Sequence, residues 1–136
     1  MANTLKLEIV TPDAVVYHDD VHMVTLPGIE GELGIYPMHV PLITQIVPGA
    51  IVVTKDGRDS ELAVGEGLVD ITAESVTIVT DMAIAADKID EAQVEEARQR
   101  AAARLAEKLS DEEVASVNAS LARSLAQLHV KRRHRG

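Results

Sequence analysis

Residues 26–44 read LPGIEGELGIYPMHVPLIT, from Leu26 to Thr44, and their order decides the fold. The stretch gathers Pro27, Gly28, Gly31, Gly34, Pro37 and Pro41, three of the chain's five prolines among them. Glycine admits backbone angles that other residues resist, and proline fixes φ and removes a donor. Glycines at intervals of three, followed by prolines four apart, fit neither a long strand nor a helix. They describe tight turns joining short extended pieces, Glu32 to Ile35 and Leu42 to Ile46, at a β-sheet corner.

The pattern continues outward from that corner. Leu5, Leu7 and Ile9 alternate with Lys6 and Glu8, the period of a strand with one buried face. Val21 to Leu26 and Ala50 to Thr54 are β-branched runs, and Lys55-Asp56-Gly57-Arg58 carries the Asp-Gly pair of a hairpin turn. Leu62 and Val64, Leu68 to Ile71 and Val76 to Val79 follow, set apart by Gly65-Glu66-Gly67 and Ala73-Glu74-Ser75. Eight to ten short strands predict an all-β sandwich or barrel up to residue 86.

Composition then changes. From Asp90 to Val130 there is neither Gly nor Pro, and alanine dominates. Asp87 or Asp90 is placed to cap a first helix, whose face repeats as Ala97, Ala101, Leu105 and Leu109. Ser110 with Glu113 three residues on makes a capping box for a second helix, striped by Val114, Val117, Leu121, Leu125 and Leu128. The expectation is a β-sandwich of about ten strands over residues 1–86, then an antiparallel helical hairpin over 87–136. A hairpin lined by alanine buries little surface, so alone it is marginal and rests on the sandwich or on another protein.

The totals exclude several chemistries. There is no cysteine, so disulfides, thiolate metal sites and thiol catalysis are out. Tyr17 and Tyr36 are the only aromatics, which leaves almost nothing to stack on nucleic-acid bases. No apolar run is long enough to span a membrane, and the first ten residues lack the order of a signal peptide. The formal charge of −9 is unevenly spread. Residues 1–86 hold three basic against thirteen acidic groups, and residues 87–136 hold ten against nine. Beyond Val114 every charge is positive: Arg123, Lys131, Arg132, Arg133 and Arg135. Such asymmetry predicts two modules with different partners.

Candidate chemistry is sparse. His18, Asp20 and His22 are metal-ligand types, yet they fit a polar turn between strands as well. His39, between Pro37 and Pro41, could serve catalysis or brace its turn. The glycines lack the Lys-Ser/Thr of a phosphate loop, and Glu30 and Glu32 beside them repel phosphate. A small metal-binding protein or enzyme using His18, His22 or His39 is therefore the alternative to a non-enzymatic interaction protein.

The residues LPGIEGELGIYPMHVPLIT, then Val64-Gly65-Glu66-Gly67-Leu68-Val69-Asp70-Ile71, then an Ala-rich helical hairpin, closely resemble the epsilon subunits of bacterial F-type ATP synthases and their chloroplast counterparts. The resemblance runs the length of the chain. It implies a non-catalytic central-stalk subunit without cofactor or bound metal, coupling proton-driven rotation to ATP synthesis. Its implied partners are the gamma subunit, the c-ring and the alpha/beta catalytic head, with no nucleic acid. Its implied place is peripheral, on the cytoplasmic face of a bacterial inner membrane or the stromal face of a thylakoid. Glu30, Gly31, Glu32 and His39 match the family's c-ring and gamma contact region. Arg123, Lys131, Arg132 and Arg133 match the positions that meet the beta subunit when the helices extend and inhibit ATP hydrolysis. Some members bind ATP through I/L-D-x-x-R-A. Here Ile89 and Asp90 match, but Gln93 and Val94 replace Arg and Ala. Loss of the guanidinium predicts weak or absent nucleotide binding.

Overall fold

The computed structural model describes residues 3–135, with the Arg135 side chain outside the described atoms. Ten strands form first: β1 (Leu5–Val10), β2 (Val15–Val21), β3 (Met23–Gly28), β4 (Gly31–Ile35), β5 (Leu42–Ile46), β6 (Gly49–Lys55), β7 (Arg58–Val64), β8 (Gly67–Ile71), β9 (Ser75–Thr80) and β10 (Ala83–Ala85). A single 3-10 turn, Ala86–Lys88, leads to helices α1 (Glu91–Arg104) and α2 (Asp111–Arg135). A β-sandwich followed by a helical hairpin is the architecture the sequence predicts.

The strands follow the path β10-β7-β6-β3-β5-β8-β9-β1-β2, with β4 on the other edge of β3. All pairs are antiparallel except β1 with β9. β3 and β5 meet only at Gly28↔Ile46, so the path folds there into two layers. Gly28 must be glycine, because a Cβ would crowd the Gly31 carbonyl 2.7 Å away. Gly67 is held to the same choice by the backbone of Val79 and Thr80. The Lys55–Arg58 hairpin closes as its Asp-Gly pair demands, with Asp56 at φ 52° and Gly57 at φ 75°.

Between the layers lies a wholly aliphatic core. Leu5, Leu7 and Ile9 of β1 meet Val24 and Leu26 of β3, Ile51 and Val53 of β6, and Val76 and Ile78 of β9, all essentially inaccessible. Among the described residues, none of either helix belongs to this cluster. A second, smaller cluster forms on the outer face of β6, β7 and β10, where Ala50, Ala63 and Ile84 lie side by side across three strands. Val130 of α2 fills it, together with Ala86 and Ile89. Alanine at Ala50 and Ala63 lets the helix come close.

Two expectations for the helices need correction. α1 ends at Arg104 instead of running to Leu109. Leu105, Ala106 and Glu107 instead donate to carbonyls three residues back, which tightens and ends the helix. The reversal needs those residues, because the next start is fixed by the Ser110–Glu113 capping box. Ser110 Oγ accepts from the Glu113 amide and Glu113 Oε1 accepts from the Ser110 amide, each at 3.2 Å. The second correction is Leu125, which is 55 % exposed. α2 buries two faces, one through Val117, Ser124 and Leu128 and another through Ala126 and Val130, and Leu125 falls outside both.

Candidate interaction surfaces

The first surface is the β3–β4 hairpin. Gly31 at φ 125° closes the turn, leaving Glu30 and Glu32 exposed. Glu30, Gly31 and Glu32 share a cleft of about 240 Å³ with Leu33, Leu42 and Thr44. Three of the predicted contact residues are thus gathered, as a small acidic prominence. His39 is not among those lining the cleft; it sits in the next loop, half-buried, with Nδ1 2.7 Å from the Val40 carbonyl.

Beside that hairpin lies an apolar surface that the sequence reading missed. Residues 33–54 contain no Asp, Glu, Lys or Arg, in a chain that is 26 % charged. Within that run Tyr36, Met38, Val40 and Ile43 are 61, 78, 75 and 70 % exposed. Leu68 and Val79, which pair across β8 and β9, extend the exposed apolar surface onto the sheet. Alternation hides it: with β5 read as a half-buried strand, Ile43 passes for one more core residue. The signal available was the uncharged run itself.

The third surface is the docked hairpin. Arg123 Nη1 reaches Asp81 Oδ2 at 3.2 Å, and Arg133 Nη2 reaches Glu61 Oε1 at 2.6 Å. Arg123, Val130 and Arg133 meet the sandwich from one face of α2, two ion pairs flanking a small apolar contact, and the helical spacing puts buried Ala126 on the same face. Gly65 makes room for the first pair, since a Cβ there would overlap the Asp81 carboxylate. Lys131 Nζ donates to the Ala86 carbonyl at 3.3 Å. Arg132 turns to α1, with Nε 2.9 Å from Glu91 Oε1 and Nη2 3.6 Å from Glu95 Oε2. All four predicted cations are engaged within the chain. The 3-4-3 spacing of Arg123, Ala126, Val130 and Arg133 was present in the sequence but masked by the leucine stripe beside it.

Local electrostatics reinforce the hairpin. A hydrogen bond from Arg98, helped by its charge, holds the Glu95 carboxyl below its ordinary range. Bonds from the Ser110 backbone and hydroxyl do the same for Glu113. On the sandwich, Lys55 donates to Asp19 at 2.5 Å, lowering the Asp19 pKa and raising that of Lys55. Burial pushes the Tyr17 hydroxyl up.

The residues considered for ligands have structural work. Ile89 is buried in the second cluster, and Asp90 caps α1, accepting from the Gln93 amide at 3.2 Å. An open cleft of about 670 Å³ between the helices is lined by Arg100, Arg104 and Arg123. Each of those guanidiniums already faces a carboxylate, on Glu96, Glu113 and Asp81 respectively. His18 lies on β2 and His22 four residues on, roughly 13 Å away along an extended chain, so the two do not converge on one ion. His22 Nδ1 accepts from the Asp56 amide at 3.0 Å, bracing the Asp-Gly turn. Among the described residues no group of three or more His, Asp or Glu side chains is arranged to hold a metal, and no helix is long and apolar enough to cross a membrane.

Residues 4–86 match the family described as ATP synthase, Delta/Epsilon chain, beta-sandwich domain, and residues 87–132 match its long alpha-helix domain. The ATP synthase epsilon chain of Laribacter hongkongensis is 36 % identical over 128 residues, 93 % of this chain and 91 % of that one. That of Herpetosiphon aurantiacus is 37 % identical over 131 residues, 96 % of each. Among solved structures, a chain of the Euglena gracilis mitochondrial ATP synthase OSCP/F1/c-ring assembly superposes with a TM-score of 0.77 at 20 % identity, covering 95 % of this chain and 81 % of that one. That likeness speaks for the fold.

Proposed function

The chain belongs to the ATP synthase epsilon-chain family, and from that premise we propose that it is the non-catalytic central-stalk subunit whose C-terminal helices restrain ATP hydrolysis. In this reading residues 1–86 ride on the rotor. The acidic prominence of Glu30, Gly31 and Glu32 meets the polar loops of the c-ring, and His39, in the loop beyond, belongs to the gamma side of the contact. The exposed apolar side chains of Ile43, Leu68 and Val79, with Asp70 opposite Ile43, meet the gamma subunit. Residues 87–136 are the regulatory unit. The subunit is peripheral, held through the complex on the cytoplasmic face of a bacterial inner membrane.

The self-pairing of the α2 cations carries the proposal. Arg123, Arg132 and Arg133 each bond a carboxylate of the same chain, and Lys131 bonds a carbonyl. These pairs are partly solvated, so each contributes only about 0.2–1 kcal/mol. The apolar part of the contact to the sandwich centres on one valine. Such a seat holds the hairpin without trapping it. An acidic segment of the beta subunit offers the same cations equivalent partners, so little is lost in the exchange.

The test is ATP hydrolysis by the catalytic head stripped of its own epsilon subunit. The full chain is added back, and separately a chain ending at Asp87. Inhibition by the full chain alone supports the reading. Binding of both without inhibition by either removes the restraint and leaves only coupling.

A further inference from the structure

Among the described non-glycine residues only Asp56 and Met38 have positive φ, at 52° and 70°. Asp56 belongs to an Asp-Gly hairpin, where that conformation is ordinary. Met38 does not. It follows Pro37 at the centre of a tight turn, in the position where a turn with positive φ calls for glycine or asparagine. A side chain there pushes its Cβ against the backbone, and an unbranched hydrophobe has no local hydrogen bond to offset the cost.

The turn is firmly imposed. Tyr36 and Val40 each precede a proline and are confined to extended conformations. The Met38 amide donates to the Ala73 carbonyl in the β8–β9 connection at 2.7 Å, fixing the loop to the sheet. Glycine would serve that backbone better. The methionine side chain gives the isolated chain nothing in return, being 78 % exposed. A conformational cost with no return inside the fold points to a return outside it.

We propose that Met38 is a strain-presented anchor that inserts into an apolar pocket of the stalk subunit bound by the sandwich, with Tyr36, Val40 and Ile43 forming the rim. The chemistry selects that partner. The loop lies in a run of 22 residues without an Asp, Glu, Lys or Arg, and its exposed atoms are aliphatic, thioether and phenol. A polar, charged loop finds its complement at the neighbouring Glu30–Glu32 hairpin, not here. Methionine is unbranched and polarisable, so it fills an irregular pocket well. A rigid turn that already holds it outward lowers the entropy lost on docking. This inference rests on the central-stalk reading above and identifies the residue that dominates the stalk contact.

The experiment measures binding of the full-length chain to the gamma subunit of the same source, beside thermal unfolding of the chain alone. Three proteins are compared: wild type, Met38→Gly and Met38→Ala. Met38→Gly relieves the turn and raises the midpoint by a few degrees, while weakening binding by about tenfold or more. Met38→Ala keeps the strained backbone, so its midpoint does not rise, yet its binding falls similarly. Gain of stability with loss of affinity in one variant is the signature, since a merely structural residue moves both the same way. If wild type binds and both variants bind within about twofold of it, the anchor is refuted and the stalk reading stands. If wild type itself fails to bind gamma, the stalk reading falls, and the anchor with it.

Discussion

Val130→Ala separates the two parts of this molecule. Val130 is fully inaccessible and packs on Ala63, Ala86 and Ile89, outside the aliphatic core of the sandwich. Truncation removes two methyls, about 1.6 kcal/mol at ~0.8 kcal/mol per buried carbon. The short side chains of Ala63 and Ala86 cannot fill the space, and the residual cavity brings the total to about 2 kcal/mol. At 1.4 kcal/mol per factor of ten, the undocked fraction of the hairpin rises about 30-fold. Native-state hydrogen exchange reads this directly. Amides between Val117 and Lys131 should exchange about 30-fold faster, while those of β1, β3, β8 and β9 keep their protection. Acceleration of both sets together would mean that hairpin and sandwich open as one cooperative unit. No acceleration of either would mean that Val130 does not hold the helix. Either result refutes the reasoning.

Three further outcomes follow from the same geometry. Gly65→Ala displaces the Asp81 carboxylate and so breaks the Arg123 pair, raising α2 exchange by up to about fivefold. Adding Asp81→Ala to it should change nothing more, because both remove the same ion pair; additive effects would show that Gly65 acts elsewhere. Glu113 and Glu95 have pKa values lowered in the folded chain, so their contribution is complete above the unfolded value of about 4.5 and fades as pH falls through the lowered ones. Helix content followed by circular dichroism should accordingly decline below about pH 4.5, and Glu113→Gln should flatten that decline. Titration with MgATP should give no saturable heat in calorimetry up to ~1 mM, because Gln93 supplies no charge and the cleft's guanidiniums are already paired. A tight, specific complex would contradict that assignment.

Much of the fold was legible because local and global preferences agree. The alternation of Leu5, Leu7 and Ile9, the Asp56-Gly57 turn and the Ser110–Glu113 box each state their structure within a few residues. What escaped needed tertiary information. The end of α1 at Arg104 has no glycine or proline to announce it; it is set by the need to reverse before Ser110. Leu125 looked buried because its helix was read as one-faced, whereas α2 leans on α1 and on the sandwich. The predicted cations were legible as a cluster, but their partners Asp81, Glu61 and Glu91 lie 41 to 72 residues away. Met38 contradicts the preference of its own turn, so only the backbone could reveal it.

The central claim is that the hairpin restrains hydrolysis only when released from its seat. The chain has no cysteine, so Ser60→Cys with His134→Cys, two residues that line one cleft beside the docked contact, creates a single site for a thiol cross-linker and leaves the four cations in place. ATP hydrolysis by the epsilon-depleted head is then measured with this variant before and after cross-linking. The account predicts inhibition by the open form and none by the locked form, with both still bound to the head. Equal inhibition by the locked form would contradict it.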